Sequence, residues 1–248
     1  MKKRPYFRSA WRAAAAMAAC MIFCAGCLPS SATGLSEEDI HFYQLDPVET
    51  GAEVAVIETT AGAIRIVLFP DQAPNTVAYF RQLVEEGFYE DNSLIINPTN
   101  KTMTAGAVDE LGAQGEGEGI PSEITPNLWH FSGAVSALGY ERSRLFPETL
   151  SDSRFFIIGQ VEATTEMVRQ MEEYRYPQKV IDAYKEYGGL PQYTGSYTVF
   201  GQVVSGMDVV EQLVAEEPAD KPQIQRIYFS VYQEEEPEIE STAFRQGA

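Results

Sequence analysis

Apolar and polar positions alternate in short runs along most of the chain. Residues 54–59 and 63–69 are β-rich runs joined by a short loop that contains glycine, which predicts a hairpin. Similar strand-like runs occupy 133–138, 154–158, 197–204 and 224–232. Many short strands without a repeating strand–helix alternation favour a closed antiparallel barrel or a sandwich over a parallel sheet. The pattern alone does not choose between the two.

Helical periodicity appears in a few places only. Val77, Phe80, Leu83 and Val84 recur at helical spacing, and Gly87 stands where a helix would end, which predicts a helix from about residue 75. Further helical patterns lie at 166–174, 179–187 and 207–214. The first two of these lie within residues 161–191.

Two stretches carry no signal of a buried core. Glycine occupies every second position of 113–119, which excludes a core strand and predicts an exposed loop. Residues 234–248 begin with an acidic run and contain few apolar side chains, which is typical of a disordered tail. The folded domain is therefore predicted to span 48–233.

The first residues predict where the protein is located. A basic start precedes an apolar run from Ala13 to Ala25, as in a signal peptide, 1–26. The run ends in Cys24-Ala25-Gly26-Cys27, which resembles the lipobox of bacterial lipoproteins, so Cys27 is expected to carry a lipid and 27–47 to form a tether. Ordinary secretory cleavage is the alternative, because Cys24 stands where lipoboxes usually have leucine. A transmembrane helix is less favoured, because it needs ~20 apolar residues.

Composition indicates which covalent links, metal sites and partners to expect. All three cysteines, Cys20, Cys24 and Cys27, lie in the leader or at its end, so no disulfide framework is expected. His41 and His130 are the only histidines, and without a nearby cysteine they do not predict a metal site. The formal charge of −18 becomes −23 when the leader's five basic residues are removed, leaving 13 basic against 36 acidic side chains. Nucleic acid is therefore not expected as a partner.

Sequence motifs that follow one another in a fixed order distinguish between the barrel and the sandwich. Residues 69–77 read Phe-Pro-Asp-Gln-Ala-Pro-Asn-Thr-Val, and 87–89 read Gly-Phe-Tyr. Three later blocks follow in order: Gly-Ala-Val-Ser at 133–136, Ser-Arg-Phe-Phe-Ile at 153–157, and 197–203 together with 206–210. Over about 54–231 the chain resembles the cyclophilin family of peptidyl-prolyl cis/trans isomerases. The resemblance implies a closed eight-stranded antiparallel β-barrel with a helix over each end, proline-containing peptides as partners, and no cofactor.

The resemblance also implies a catalytic arginine, and the chain departs from it there. The family's Phe-His-Arg run corresponds to Leu94-Ile95-Ile96, so Ile96 is predicted to replace the arginine that hydrogen-bonds the prolyl nitrogen. Met103 is aligned with a pocket methionine. The family's glutamine is replaced, whether Thr104 or Ala105 takes its place.

The remaining pocket positions are assigned in the same way. Phe156 matches the floor of the proline pocket, and Arg154 replaces a polar pocket residue and is the only candidate for a catalytic group. The other predicted substrate-binding residues are Phe155, Leu138, Tyr193 and Tyr197. Relative to the family pattern, the two tyrosines are displaced by a helical insert, 161–191. For Phe156 and Met103 the alternative is ordinary core packing. For Arg154 the alternative is a solvated arginine or one paired with an acid.

Three hypotheses follow for function. The first is a cyclophilin-type isomerase with reduced turnover that assists the folding of secreted or surface proteins. The second is a non-catalytic module of the same family that binds proline-containing or unfolded segments as a chaperone. The third, a ligand-binding lipoprotein of another fold, is disfavoured by the ordered motifs.

Overall fold

The strands predicted from the alternation are present. A computed structural model describes residues 36–141, 148–215 and 221–233. Its helices are α1 (Pro74–Glu85), α2 (Thr165–Glu173), α3 (Gln178–Tyr187) and α4 (Met207–Ala215). Its strands are β1 (Glu53–Thr59), β2 (Gly62–Leu68), β3 (Ile95–Asn97), β4 (Thr102–Ala105), β5 (Ile120–Pro121), β6 (Ala134–Glu141), β7 (Thr149–Ile158), β8 (Thr198–Ser205) and β9 (Ile224–Val231). Short 3₁₀ turns lie at Glu37–Asp39, Tyr43–Leu45 and Pro191–Tyr193.

All nine strands belong to one curled antiparallel sheet, and this sheet is open. Its order is β3-β4-β7-β6-β8-β2-β1-β9, with β5 pairing to β7. The prediction of a closed eight-stranded barrel is therefore wrong. Within the described residues the two edges meet at one isolated bridge, Ser93 with Gln223, beside a hydrogen bond from Leu94 N to Pro222 O of 2.8 Å. Pro222 has no N–H to continue the pairing, which explains why no ladder forms at this seam.

The inner face of the sheet holds the main core. Helix α1 packs on β7, β8 and β9, and α4 packs on β2, β3 and β4. The resulting cluster is apolar and almost without exposure, and it includes Ile57, Ile64, Phe80, Phe155, Ile157, Phe200 and Val210. Tight burial of this kind supplies most of the stability of a domain of this size.

The predicted helical insert forms α2 and α3, and it covers part of the outer side of the sheet. Thr164 begins α2 by accepting a hydrogen bond from Met167 N at 3.1 Å. Val180, Ile181 and Tyr184 of α3 pack against Trp129 and Phe131, which precede β6. The insert therefore has its own core, separate from the core inside the sheet.

Residues 36–47, predicted as part of a tether, belong to the folded unit. Ile40 is 2% exposed and packs in the insert's core. Glu37 Oε1 accepts from Gln178 N at 2.7 Å at the start of α3, and Lys179 Nζ donates to Ile40 O at 2.6 Å. Gln44 Nε2 donates to Gln202 Oε1 at 2.8 Å. Buried apolar and hydrogen-bonded contacts fix this segment, so the folded domain begins before residue 48.

The predicted signal peptide, Cys27 and the acidic tail lie outside the described residues. Within 36–141, 148–215 and 221–233, no helix is both long and apolar enough to cross a membrane.

Candidate active site

Strand register defines the outer face on which the predicted site residues meet. Ile95 of β3 lies opposite Thr104 of β4, and Thr104 lies opposite Phe156 of β7. Phe156 in turn lies opposite Ser136 of β6. Residues directly opposite on neighbouring strands share a face. These four side chains therefore form one line across the sheet.

This line changes which residue of β3 is expected at the position of the family's arginine. Ile96 lies opposite Met103 and packs against the inner core, so its side chain is on the wrong side of the sheet. Ile95 is the residue of β3 that faces the same way as Phe156. By the same register Thr104, rather than Ala105, occupies the glutamine place, since Ala105 is buried in the inner core.

Two predicted substrate-binding residues also belong to the inner core. Met103 is 1% exposed and lies in the cluster inside the sheet. Phe155 is 2% exposed and packs edge-on against Phe80, with ring centroids 5.6 Å apart. Side chains of a strand alternate between faces, so the neighbour of Phe156 cannot share its face. Met103 and Phe155 are therefore core residues and not parts of a pocket.

The other predicted pocket residues do come together around Phe156. The rings of Tyr193 and Tyr197 meet Phe156 edge-on at centroid distances of 5.5 and 5.2 Å. Leu138 packs against the same outer cluster. Asn100, in the β3–β4 turn, holds Tyr193 by donating from Nδ2 to its hydroxyl at 3.1 Å. Phe156 is only 3% exposed, so the two tyrosines cover the floor on which a proline ring would lie.

His130 is a member of this site that the sequence interpretation missed. Its ring stacks on Phe156 at 13° and 6.4 Å, and it meets Tyr193 edge-on. Burial lowers its pKa from 6.5 to about 3, so the ring is neutral at physiological pH. Neither ring nitrogen has a hydrogen-bond partner among the described residues. The only available signal was its position just before β6 in an aromatic run, which does not reveal a tertiary contact.

Arg154 is paired with an acid, as the alternative interpretation held. Its Nη2 lies 2.7 Å from Asp152 Oδ2, and its Nε donates to the same carboxylate at 2.9 Å. Nη1 donates to the carbonyls of Gly112 and Ala113 at 2.9 and 2.8 Å. The side chain is 8% exposed. We therefore assign Arg154 to holding the 109–119 loop on β7, and not to contact with a substrate.

Ser153 fastens the same loop at a second point. Its hydroxyl donates to Gly106 O at 2.6 Å and accepts from Glu116 N at 2.7 Å. Tyr89 OH donates to Ser153 O at 2.9 Å from the inner side. The loop predicted at 113–119 is thus exposed in its side chains but anchored through its backbone.

Comparisons with known proteins agree with this architecture. A family model described as cyclophilin type peptidyl-prolyl cis-trans isomerase/CLD matches residues 54–229. The chain belongs to the cyclophilin family. A Staphylococcus aureus protein assigned as a peptidyl-prolyl cis-trans isomerase is 30% identical over 180 residues, which cover 71% of this chain and 88% of that protein.

This cyclophilin is also similar to a second bacterial protein and to a solved crystal structure. A Streptococcus pyogenes protein assigned as a bifunctional phosphatase/peptidyl-prolyl cis-trans isomerase is 32% identical over 174 residues, 69% of this chain and 36% of that protein. A crystal structure of a Cryptosporidium parvum cyclophilin, determined in the presence of the dipeptide Ala-Pro, has a TM-score of 0.53 and 22% identity. It covers 73% of this chain and 99% of that one. At this identity the structural match supports the fold alone.

Around Phe156, the described side chains of this cyclophilin are mainly aromatic and aliphatic. Its outer face offers aromatic rings and the methyl-bearing side chains of Ile95 and Thr104, and the guanidinium of Arg154 on β7 is bound to Asp152. Burial raises the pKa of the Tyr197 phenol, while the positive charge of Arg154 opposes that shift, so the phenol stays a neutral donor. Among the described residues, no group of three or more His, Cys, Asp or Glu side chains is placed to hold a metal ion.

Proposed function

We propose that this cyclophilin is an extracytoplasmic peptidyl-prolyl isomerase with reduced turnover, which binds proline-containing segments of secreted or surface proteins. The observation that supports it best is the line from Ile95 through Thr104 to Phe156. An aromatic floor of the family's type is kept, while an aliphatic side chain stands where a hydrogen-bond donor would reach the prolyl nitrogen.

The chemistry of prolyl isomerisation explains why an aliphatic side chain in place of a donor lowers the rate more than it weakens binding. Isomerisation must break amide resonance, and the barrier is about 20 kcal/mol. A donor that stabilises the twisted state, in which the prolyl nitrogen regains its lone pair, acts in the transition state only. Loss of one such donor typically costs ~10²–10³ in rate. Apolar contact with the proline ring needs no donor and therefore survives.

In this proposal the packing of Tyr193 and Tyr197 over Phe156 lowers the isomerase activity further. Phe156 is 3% exposed, so a proline ring gains contact with it only when Tyr193 or Tyr197 moves aside. The free energy of that movement is subtracted from the binding free energy. The aliphatic side chain of Ile95 in line with Phe156 favours the second candidate, a non-catalytic proline-binding or chaperone module, because binding needs apolar contact and no donor.

A protease-coupled isomerisation assay of the full-length protein on a set of X-Pro peptides separates the two candidates. We expect measurable turnover with kcat/KM about 10²-fold or more below that of a cyclophilin with the arginine. Phe156→Ala should abolish it. Peptide binding without any turnover above the uncatalysed rate would favour the chaperone module, and turnover equal to that of an arginine-bearing cyclophilin would contradict the proposal.

The proposed location has its own test. A lipid on Cys27 would be the membrane-seeking group, and the folded unit, which includes 36–47, would then lie within a short span of chain from it. We expect Cys27→Ala protein in the soluble extracytoplasmic fraction and the unchanged protein in the membrane fraction. Membrane association of the Cys27→Ala protein that survives high salt would contradict the lipid anchor.

A further inference from the structure

An open cavity lies beside β3, outside the aromatic cluster around Phe156. Its volume is about 300 Å³, and Ile95, Ile96, Leu111 and Pro222 form most of its apolar wall. Glu110 and Lys221 stand on the same wall, with the ammonium 4.0 Å from the carboxylate. Among the described residues that line the opening, one charge of each sign gives no net charge. A neutral aliphatic side chain therefore suits this cavity better than a charged one.

Leu111 is the most exposed large apolar side chain in the part of the chain that the structure describes. Its exposed fraction is 86%. It lies on the 109–119 loop, whose backbone is fixed by the hydrogen bonds from Arg154 to Gly112 and Ala113. Burial of such a side chain by a partner is favourable, because it removes apolar surface from water and the loop that carries it is already fixed.

Ile95 connects this cavity to the proline site. Its side chain lines the cavity, and it also lies in the line that runs through Thr104 to Phe156. Two strand spacings, or ~10 Å, separate Ile95 from Phe156 across the sheet. An extended peptide rises ~3.3 Å per residue, so a proline over Phe156 places a residue about three positions away at the cavity.

We propose that this cavity is a second binding subsite, which takes an aliphatic side chain of the substrate about three residues from its proline. The proposal rests on the proposed function, because it requires a proline segment at Phe156. It makes Leu111 a specificity-determining residue, since the side chain of the substrate would lie against it and against Ile95.

Binding of four peptides to the full-length protein tests this subsite. Each peptide contains one proline and carries either Leu or Ala, placed about three residues before or about three residues after the proline. In one of the two positions, the Leu peptide should bind about fivefold to tenfold more tightly than its Ala partner, as partial burial of a leucine predicts. In Leu111→Ser protein that ratio should fall below about twofold.

Val108→Ser is the matched control, because Val108 is an exposed aliphatic residue near the same loop that does not line the cavity. It should keep the full Leu preference. Equal binding of the Leu and Ala peptides in both positions, or a preference unchanged in Leu111→Ser protein, would overturn the subsite. If replacing the peptide proline by alanine leaves binding unchanged, the proposed function fails and the subsite with it. Proline-dependent binding without a Leu preference overturns the subsite alone.

Discussion

The two faces of β7 differ in what they retain from the cyclophilin family. Phe155 and Ile157 lie on the inner face of the sheet and pack with Phe80 and Phe200 in the main core. Phe156, on the other face, is surrounded by Tyr193, Tyr197 and His130, and it lies in line with Ile95. The inner face thus holds the core of the fold, while the outer face is the one on which we propose that apolar and aromatic side chains replace the family's polar catalytic groups. Fold and catalysis depend on alternate residues of the same strand and can change separately.

Phe155→Ala is expected to cause the largest loss of stability. Removing a buried phenylalanine costs about 3–5 kcal/mol of unfolding free energy, and Phe155 lies in the centre of the inner core. Phe156→Ala should cost less, because the half-buried tyrosines beside it can move into the space. Urea denaturation of both variants measures the difference. Equal losses would show that the two faces do not differ in this way.

Arg154→Met is expected to destabilise by about 3 kcal/mol, because it leaves the buried Asp152 carboxylate without its partner. Replacing both residues, with Asp152→Asn in the same protein, should restore much of that loss. Arg169→Met is the matched control: its pairs with Glu166 and Glu173 are exposed, so the change should cost under about 1 kcal/mol. A similar small loss for Arg154→Met would contradict the role assigned to it.

Ile95→Arg tests whether a donor on the outer face restores turnover. A guanidinium at this position would face the same side as Phe156, and kcat/KM should rise by up to about 10²-fold, equivalent to ~2.7 kcal/mol in the transition state. Ile96→Arg is the control, since its side chain packs on the inner core and should destabilise the protein without raising turnover. A gain in Ile96→Arg but not in Ile95→Arg would show that the register at the site is misassigned.

His130, which packs on the outer face, should make the unfolding free energy of the protein depend on pH. The folded protein keeps the ring neutral with a pKa of about 3, while in the unfolded chain it takes a proton near pH 6.5. Stability is therefore lost as pH falls, by about 2 kcal/mol between pH 7 and pH 5. Denaturation of His130→Phe protein should show a flatter dependence over this window. An unchanged slope would mean that another group titrates there.

Much of the site was predictable, and the errors lie in register. The motif around Phe156 predicted a pocket floor there, and the structure brings Leu138, Tyr193 and Tyr197 together around that ring, while their role in binding stays a prediction. The motif predicts Ile96 at the arginine position, whereas the strand register favours Ile95, because the register between β3 and β4 depends on the turn at 98–101, which the sequence does not specify. A shift of one residue moves every side chain to the opposite face. The same limit explains the assignment of Met103 to the pocket.

The sequence by itself determined the family, six of the nine described strands, the four described helices, and the aromatic character of the cluster around Phe156, because these follow from local periodicity and ordered motifs. Only the tertiary structure decided that the sheet is open, that 36–47 packs on the insert, that Arg154 is bound to Asp152, and that His130 lies beneath Phe156. Each of these depends on contacts between residues far apart in the chain or on the exact strand register. Local patterns specify the face of a strand, but not which distant side chain lies against it.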